Sequence, residues 1–506
     1  MRIPRLRLLA LVALLSLFLP AVGAVVPGAL AQDRAARQQR DTPSDGAGVL
    51  RLLPQDSVTD KEITLDGKRI AYTATAGTLT LYDQNGERSA AVFYTAYVAK
   101  DADATRRPVT FVFNGGPGAS SAYLNLGLAG PRIVDFGPDG RDGAAAKLID
   151  NPDSWLGFTD LVMIDPVGTG WSRAAKADGS KAFWGVKRDA DVLAKVIALY
   201  VAKNSRSPSP KFLLGESYGG FRAAKAASAL QSDQGIVVNG IVMVSPLLEA
   251  SFLWGGAHAL GAATSFPTLA AAELERTKTF TPEALAKAER FAMTDYLTTL
   301  SGPPPTGEAA KAFYERVAAL TGLPLDVVTK ARGFVRNAYL QHRRANGETV
   351  SSYDAAFAVP DPYPESARRG GSDPILDGFT RALSGAFVGY ARDELGFKTD
   401  MTYILLAHDV ASQWDWGNRR QPPGVSDDLR ELLAFNPSFR LMVAHGRTDL
   451  VTPYGVSRYV LDHLPESAGA DRAQLRLYRG GHMFYFDAQS RRSFADDVKG
   501  FYRAAP

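Results

Sequence analysis

Ser217 stands between two glycines in Gly215-Glu216-Ser217-Tyr218-Gly219, directly after the apolar run Lys211-Phe212-Leu213-Leu214. A serine held at a sharp strand-to-helix turn needs small flanking residues, because a larger side chain there would meet the neighbouring backbone. Such a turn presents the hydroxyl at a helix N-terminus, where it can act as a nucleophile. The same five residues also fit an ordinary Gly-rich turn, so the rest of the chain must supply a base, a group to orient the base, and donors for an oxyanion.

Where a serine elbow carries catalysis in an α/β hydrolase, the serine, the acid and the histidine follow in that chain order. Asp449 lies in Ala444-His445-Gly446-Arg447-Thr448-Asp449, past the end of an apolar run and before Thr452-Pro453, which opens a helix. His482 lies in Gly480-Gly481-His482-Met483, just after the strand-like Leu475-Arg476-Leu477-Tyr478. The chain has 6 histidines. His258, His342, His408 and His463 fall on helical or insertion segments and read as structural, while His445 precedes the acid, which leaves His482 as the base. In this arrangement His482 takes the Ser217 proton, and Asp449 holds the imidazole tautomer and stabilises the imidazolium.

Asn114-Gly115-Gly116-Pro117-Gly118-Ala119-Ser120-Ser121 follows the apolar Thr110-Phe111-Val112-Phe113, the place where this chemistry finds its second oxyanion donor. The expected donors are the N–H of Gly116 and the N–H of Tyr218, each worth about 10²–10³ in rate. The glycine cluster is not a phosphate-binding loop, since no Gly-Lys-Ser or Gly-Lys-Thr follows it. Gly168-Thr169-Gly170-Trp171-Ser172-Arg173 lacks the third glycine of a dinucleotide fingerprint. No cofactor and no metal is expected.

These residues need a scaffold that brings distant loops together. Alternating runs at Ile70 to Thr75 and Ala91 to Tyr97, with a hairpin signal at Gln84-Asn85-Gly86-Glu87, predict antiparallel strands. Continuous apolar runs then follow at Val109 to Phe113, Leu161 to Ile164, Phe212 to Leu214, Ile241 to Val244 and Leu441 to Ala444, as suits strands buried on both faces of a parallel sheet. Helical stretches at Lys187 to Lys203 and Phe221 to Gln231 alternate with them. The pattern predicts an α/β-hydrolase with a central, mostly parallel sheet.

The alternation breaks between residues 248 and 426, where Pro282 to Leu300 and Ala309 to Leu320 read as helices, the first capped by Thr281 with Pro282 at the first helical position. The break is too long for a loop. It predicts a large, mostly helical insertion that caps the sheet and divides the core into 49–247 and 427–506.

Arg2, Arg5 and Arg7 precede the apolar run Leu8 to Leu19, and small residues end in Ala29-Leu30-Ala31. Residues 1–31 read as a secretory signal peptide, because Pro20, Gly23, Pro27 and Gly28 break the run short of the roughly 20 apolar residues of a span. No stable membrane anchor is expected after its removal. The polar residues 32–48 read as a disordered leader. These features predict export to the periplasm or the cell exterior.

The chain has no cysteine, so a core drawn from 506 residues, 46% of them hydrophobic, must carry the stability without disulfides. It has 57 basic and 53 acidic residues, and without the 3 signal-peptide arginines the balance is +1, which argues against a nucleic-acid partner.

The motifs around Asn114 to Ser121, Asp165-Pro166-Val167-Gly168-Thr169-Gly170-Trp171-Ser172, Gly215 to Gly219, the Asp449 loop and Gly481-His482 together resemble the serine carboxypeptidase family, over roughly residues 109–501. The resemblance implies a secreted α/β hydrolase that acts on peptides and releases C-terminal amino acids through Ser217, His482 and Asp449. It also implies that Asn114 and Glu216 bind the substrate's terminal carboxylate. An amide N–H can donate to a carboxylate, but a glutamate does so only when protonated. Binding should therefore favour acid, with kcat/KM falling above about pH 6.

The chain departs from the family pattern at Val112, usually tryptophan, and at Ala119, usually a half-cystine. Leu128 stands where eukaryotic members carry a glutamate that shares a proton with the elbow glutamate, so the carboxylate clamp lacks one carboxyl. Arg132 and Arg222 are candidate substitute cations. The residues leave open an exported esterase, acyltransferase or aminopeptidase that uses the same triad. An exported binding protein without catalysis is a third reading, disfavoured because Ser217, Asp449, His482 and the Gly116 loop are all present.

Overall fold

The computed structural model describes residues 48–503 apart from 138–142, 145, 177, 254–257, 367–372 and 419–420; the expected signal peptide and all but the last residue of the leader lie outside them. Three antiparallel strands come first, β1 (Ser57–Leu65), β2 (Lys68–Tyr82) and β3 (Arg88–Ala99). Buried and half-buried positions alternate along the middle of β2, as expected for a strand with unlike faces. Next come β4 (Val109–Phe113), a side hairpin of β5 (Arg132–Asp135) and β6 (Lys147–Asp150), then β7 (Asp160–Ile164) and the short β8 (Arg173–Ala174). Helix α1 (Val186–Lys203) leads to β9 (Lys211–Glu216), α2 (Tyr218–Gln234) and β10 (Gly240–Val244).

After the insertion, β13 (Arg440–Gly446), α3 (Tyr454–Asp462), β14 (Ala473–Tyr478) and α4 (Ala488–Arg503) complete the core. The insertion's own β11 (Glu348–Val350) and β12 (Ala358–Pro360) pair only with each other.

The main sheet has 10 strands in the order β1-β2-β3-β7-β4-β9-β10-β13-β14, with β8 on β3. From β7 to β14 every neighbouring pair is parallel, and β4, β7, β9, β10 and β13 are buried almost throughout, which explains their unbroken apolar runs, whereas the edge strand β14 is mostly half-buried. This strand order, with the serine strand β9 at the centre, is that of an α/β-hydrolase.

The chain runs from β4 to β7 on one side and returns to β9 on the other, so the winding direction reverses between β4 and β9. A doubly wound sheet opens a crevice at the carboxyl ends of such strands. Phe113 pairs with Gly215, which places Asn114 and Glu216 at adjoining strand ends in that crevice.

One hydrophobic core lies against each face of the sheet. Trp155, Phe212, Phe494 and Tyr502 belong to one, and Leu193, Ile197, Phe221 and Leu230 from α1 and α2 to the other. The insertion has a third core of its own around Phe266, Tyr296, Val317 and Tyr339. Its helices include Ala259–Arg276, Pro282–Phe291, Gly307–Thr321 and Pro374–Gly389, and the Thr281 hydroxyl caps the second by accepting the Ala284 N–H at 3.1 Å.

Candidate active site

Ser217 sits between β9 and α2 with φ 59° and ψ −126°. A positive φ is strained for any residue with a Cβ, and the surroundings enforce it here. The Ser217 N–H donates to Val244 O at 2.9 Å, and its carbonyl accepts the Leu247 N–H at 3.1 Å. A Cβ on Gly215 would collide with the Gly219 carbonyl, so the tight turn requires glycine at that flank. A Cβ on Gly115 would stand 2.5 Å from Tyr218 N and 2.7 Å from Gly219 N. The β4 loop and the elbow therefore pack backbone against backbone. Tyr218 opens α2, so its N–H is among the first-turn donors that have no acceptor within the helix. Among the described residues no backbone carbonyl accepts the Gly116 N–H.

His482 and Asp449 meet at the ends of β14 and β13, with His482 Nδ1 2.8 Å from Asp449 Oδ2. Asp449 Oδ1 accepts the N–H groups of Val451 and Thr452 at 2.8 and 3.1 Å, and Oδ2 accepts the Thr452 hydroxyl at 2.8 Å. These contacts hold the carboxyl in place beside His482. Burial pulls His482 down, but Asp449's charge and hydrogen bond, together with Glu216 and Asp373, more than offset it and leave the imidazole above its usual value.

The His482 carbonyl accepts the Ser245 hydroxyl at 2.8 Å, and its N–H donates to Tyr353 O at 2.6 Å. Ser245 directly follows Val244, the residue that fixes Ser217, so one strand end ties the elbow to the histidine loop. Among the described residues no hydrogen bond joins the Ser217 hydroxyl to His482. Such contacts commonly tighten only with substrate.

His445 is fully buried behind the acid, with Nε2 2.8 Å from Ser457 Oγ and Nδ1 4.0 Å from Asp449 Oδ2. Burial pushes it down to about 3, so it stays neutral. It is no rival base.

Glu216 is 3% exposed and Asn114 is 2% exposed. Asn114 Nδ2 donates to Glu216 Oε2, and Asn114 Oδ1 accepts the Leu124 N–H at 3.1 Å, which fixes the orientation of the amide. Glu216 Oε1 accepts the Tyr485 hydroxyl at 2.9 Å. Burial is the largest influence on Glu216, and it raises the carboxyl to about 7 against the opposing pull of His482, Tyr485 and Asn114.

Both candidate cations are already paired with acids. Arg132 pairs with Asp150 at 2.5 Å and Glu394 at 3.0 Å beside the β5–β6 hairpin. Arg222 Nε pairs with buried Asp189 at 2.6 Å, and Nη1 donates to the Asn114 carbonyl. Arg222 thus anchors the β4 loop, since a buried guanidinium is held by its own acid and a backbone carbonyl.

Asp165, which heads the second motif of the family resemblance, braces the same loop. Its Oδ1 accepts the Ser121 N–H at 2.8 Å and its Oδ2 accepts the Tyr403 hydroxyl at 3.0 Å. Sequence reasoning missed Tyr353, Tyr485, Tyr403 and Ser245 as site residues. The Tyr485 hydroxyl meets Glu216 across 269 positions of sequence, a contact that no local spacing signals.

The family model described as serine carboxypeptidase matches residues 71–250. That segment holds Asn114, Glu216 and Ser217; Asp449 and His482 lie beyond it. Serine carboxypeptidase-like 41 of Arabidopsis thaliana is 30% identical over 200 residues, 38% of this chain and 40% of that protein. Serine carboxypeptidase-like 42 of the same plant is 30% identical over 165 residues, 31% of this chain and 33% of that protein. The chain thus matches well under half the length of these relatives. Among solved structures, the proline iminopeptidase of Mycobacterium smegmatis aligns over 85% of this chain and 98% of its own, with 14% identity and a TM-score of 0.36. Residues 71–250, which carry the elbow and the Gly116 loop, are thus similar to the serine carboxypeptidase family, on a sheet with the strand order of an α/β-hydrolase.

Proposed function

We propose that this serine hydrolase is a carboxypeptidase that removes the C-terminal residue of a peptide through an acyl-enzyme. Ser217 attacks the scissile carbonyl and gives its proton to His482 Nε2, while Asp449 holds Nδ1–H and stabilises the imidazolium. The N–H groups of Gly116 and Tyr218 take the charge that develops on the carbonyl oxygen. His482 then returns the proton to the leaving amine, and water, activated by the same imidazole, releases the acyl group. The segment Arg2 to Ala31, read as a signal peptide, adds the proposal that the enzyme works after export.

One observation carries the substrate end: a buried carboxyl directly before Ser217, hydrogen-bonded to Asn114 and raised to about 7. Below that pH it keeps a proton and can donate to a carboxylate, as Asn114 can. A blocked peptide and its C-terminal amide test the reading. Release of the last residue from the free acid alone supports it, and equal cleavage of both rules it out.

A second reading rests on the same carboxyl. Above about pH 7 an ionised Glu216 attracts an ammonium, which would suit an aminopeptidase. Release from the N-terminus of an unblocked peptide would select that reading.

A further inference from the structure

Tyr485 lies in the helical turn Phe484–Phe486 that follows His482, and it is completely buried. Its hydroxyl donates to Glu216 Oε1 at 2.9 Å, leaving Oε2 to Asn114. Burial, followed by the charge of Glu216 and the hydrogen bond to it, holds the phenol well above its usual value. The contact therefore contains a proton throughout the working range. A pair of carboxyls in its place would lose the shared proton as pH rose and leave two like charges.

The other groups that act on Glu216 come from several elements. They are His482 on the same loop, Asp449 after β13, Tyr123 after the Gly116 loop, and Tyr353 from the insertion.

We infer that Tyr485 is a positioning residue for the substrate's terminal carboxylate. A phenol is a stronger donor than an amide, so Oε1 carries the electron density and the Glu216 proton settles on Oε2. That oxygen lies beside Asn114, whose Oδ1 is already engaged and whose second Nδ2 hydrogen meets no acceptor among the described residues. The result is an O–H and an N–H side by side, a match for the two oxygens of one carboxylate. Tyr485 occupies the role for which the sequence at Leu128 offers no carboxyl. The assignment rests on the carboxypeptidase reading.

Tyr485→Phe removes the hydroxyl and keeps the ring. The substrates are a blocked dipeptide with a free C-terminus and a p-nitrophenyl ester that has no terminal carboxylate. At pH 5 the variant is expected to lose about tenfold in kcat/KM on the dipeptide, mostly through KM, and distinctly less on the ester. Its alkaline limb on the dipeptide should move to higher pH, because the lost hydrogen bond favoured the ionised carboxyl. A folded variant with an unaltered dipeptide-to-ester ratio and an unmoved limb overturns the assignment. A variant that does not fold also overturns it, by making the hydroxyl a stability element. Failure of the carboxypeptidase reading itself is seen separately, in the unsubstituted enzyme, as cleavage of the amide.

Discussion

Ser217 is the only member of the proposed triad with positive φ, and that strain is what lifts its hydroxyl above the sheet edge. Ser217→Ala is expected to abolish fluorophosphonate labelling, and Asp449→Asn to lower kcat by about 10⁴-fold by favouring the wrong imidazole tautomer. Intact labelling of Ser217→Ala would place the nucleophile elsewhere.

The pH dependence follows from two groups that feel each other. As pH falls, His482, held above its usual value, takes a proton and stops acting as a base. As pH rises through about 7, Glu216 ionises and repels a carboxylate. A free-acid peptide should therefore give a bell-shaped kcat/KM, and the alkaline limb should vanish for the p-nitrophenyl ester. The structure moves that limb from the pH 6 suggested by the sequence to about 7, since burial of Glu216 is invisible in the primary structure.

At the scale of elements, the proposed triad could be picked out because chain order and strand-end glycines point to it, whereas its supports could not. Asp165 shows why. Its motif is plain in the sequence, yet its partners Ser121 and Tyr403 come from separate loops, so its bracing role emerges only in the fold. Burial raises Asp165 from 3.8 to about 7. The folded state therefore binds its proton more tightly than the unfolded chain does. Stability from this group is fully present below about pH 4 and lost as pH rises to 7, roughly 4 kcal/mol in all. Asp165→Asn keeps an oxygen to accept the Ser121 N–H and removes the titration. Its stability relative to the unsubstituted protein should grow between pH 4 and 7, as read by denaturant midpoints. A constant difference across that range would show that Asp165 titrates normally.

On the scale of the whole molecule, the insertion could be located in the sequence as a break in strand and helix alternation, and its helices as periodic runs. Its packing could not, because periodicity says which face is buried and not what covers it. The loop after β11 grips both late triad loops. Tyr353 O accepts the His482 N–H at 2.6 Å, the Ala355 N–H donates to Thr448 O at 2.8 Å, and the Leu450 N–H donates to Ser352 O at 3.1 Å. The Thr448 hydroxyl also donates to Asp354 Oδ1 at 2.7 Å. Asp354→Ala should lower kcat by roughly tenfold, since small displacements of a base are costly, with less effect on KM. Unchanged kcat in a folded variant would detach this loop from catalysis.

That grip has a consequence for how the enzyme can be altered. A cap that only roofs a cleft can be exchanged for another to admit new substrates, leaving the chemistry behind. Here the segment from Ser352 to Ala355 holds the loops of His482 and Asp449, so any graft that replaces the insertion must bring an equivalent clasp for His482. Exchanging that segment would also remove the acceptor of the His482 N–H.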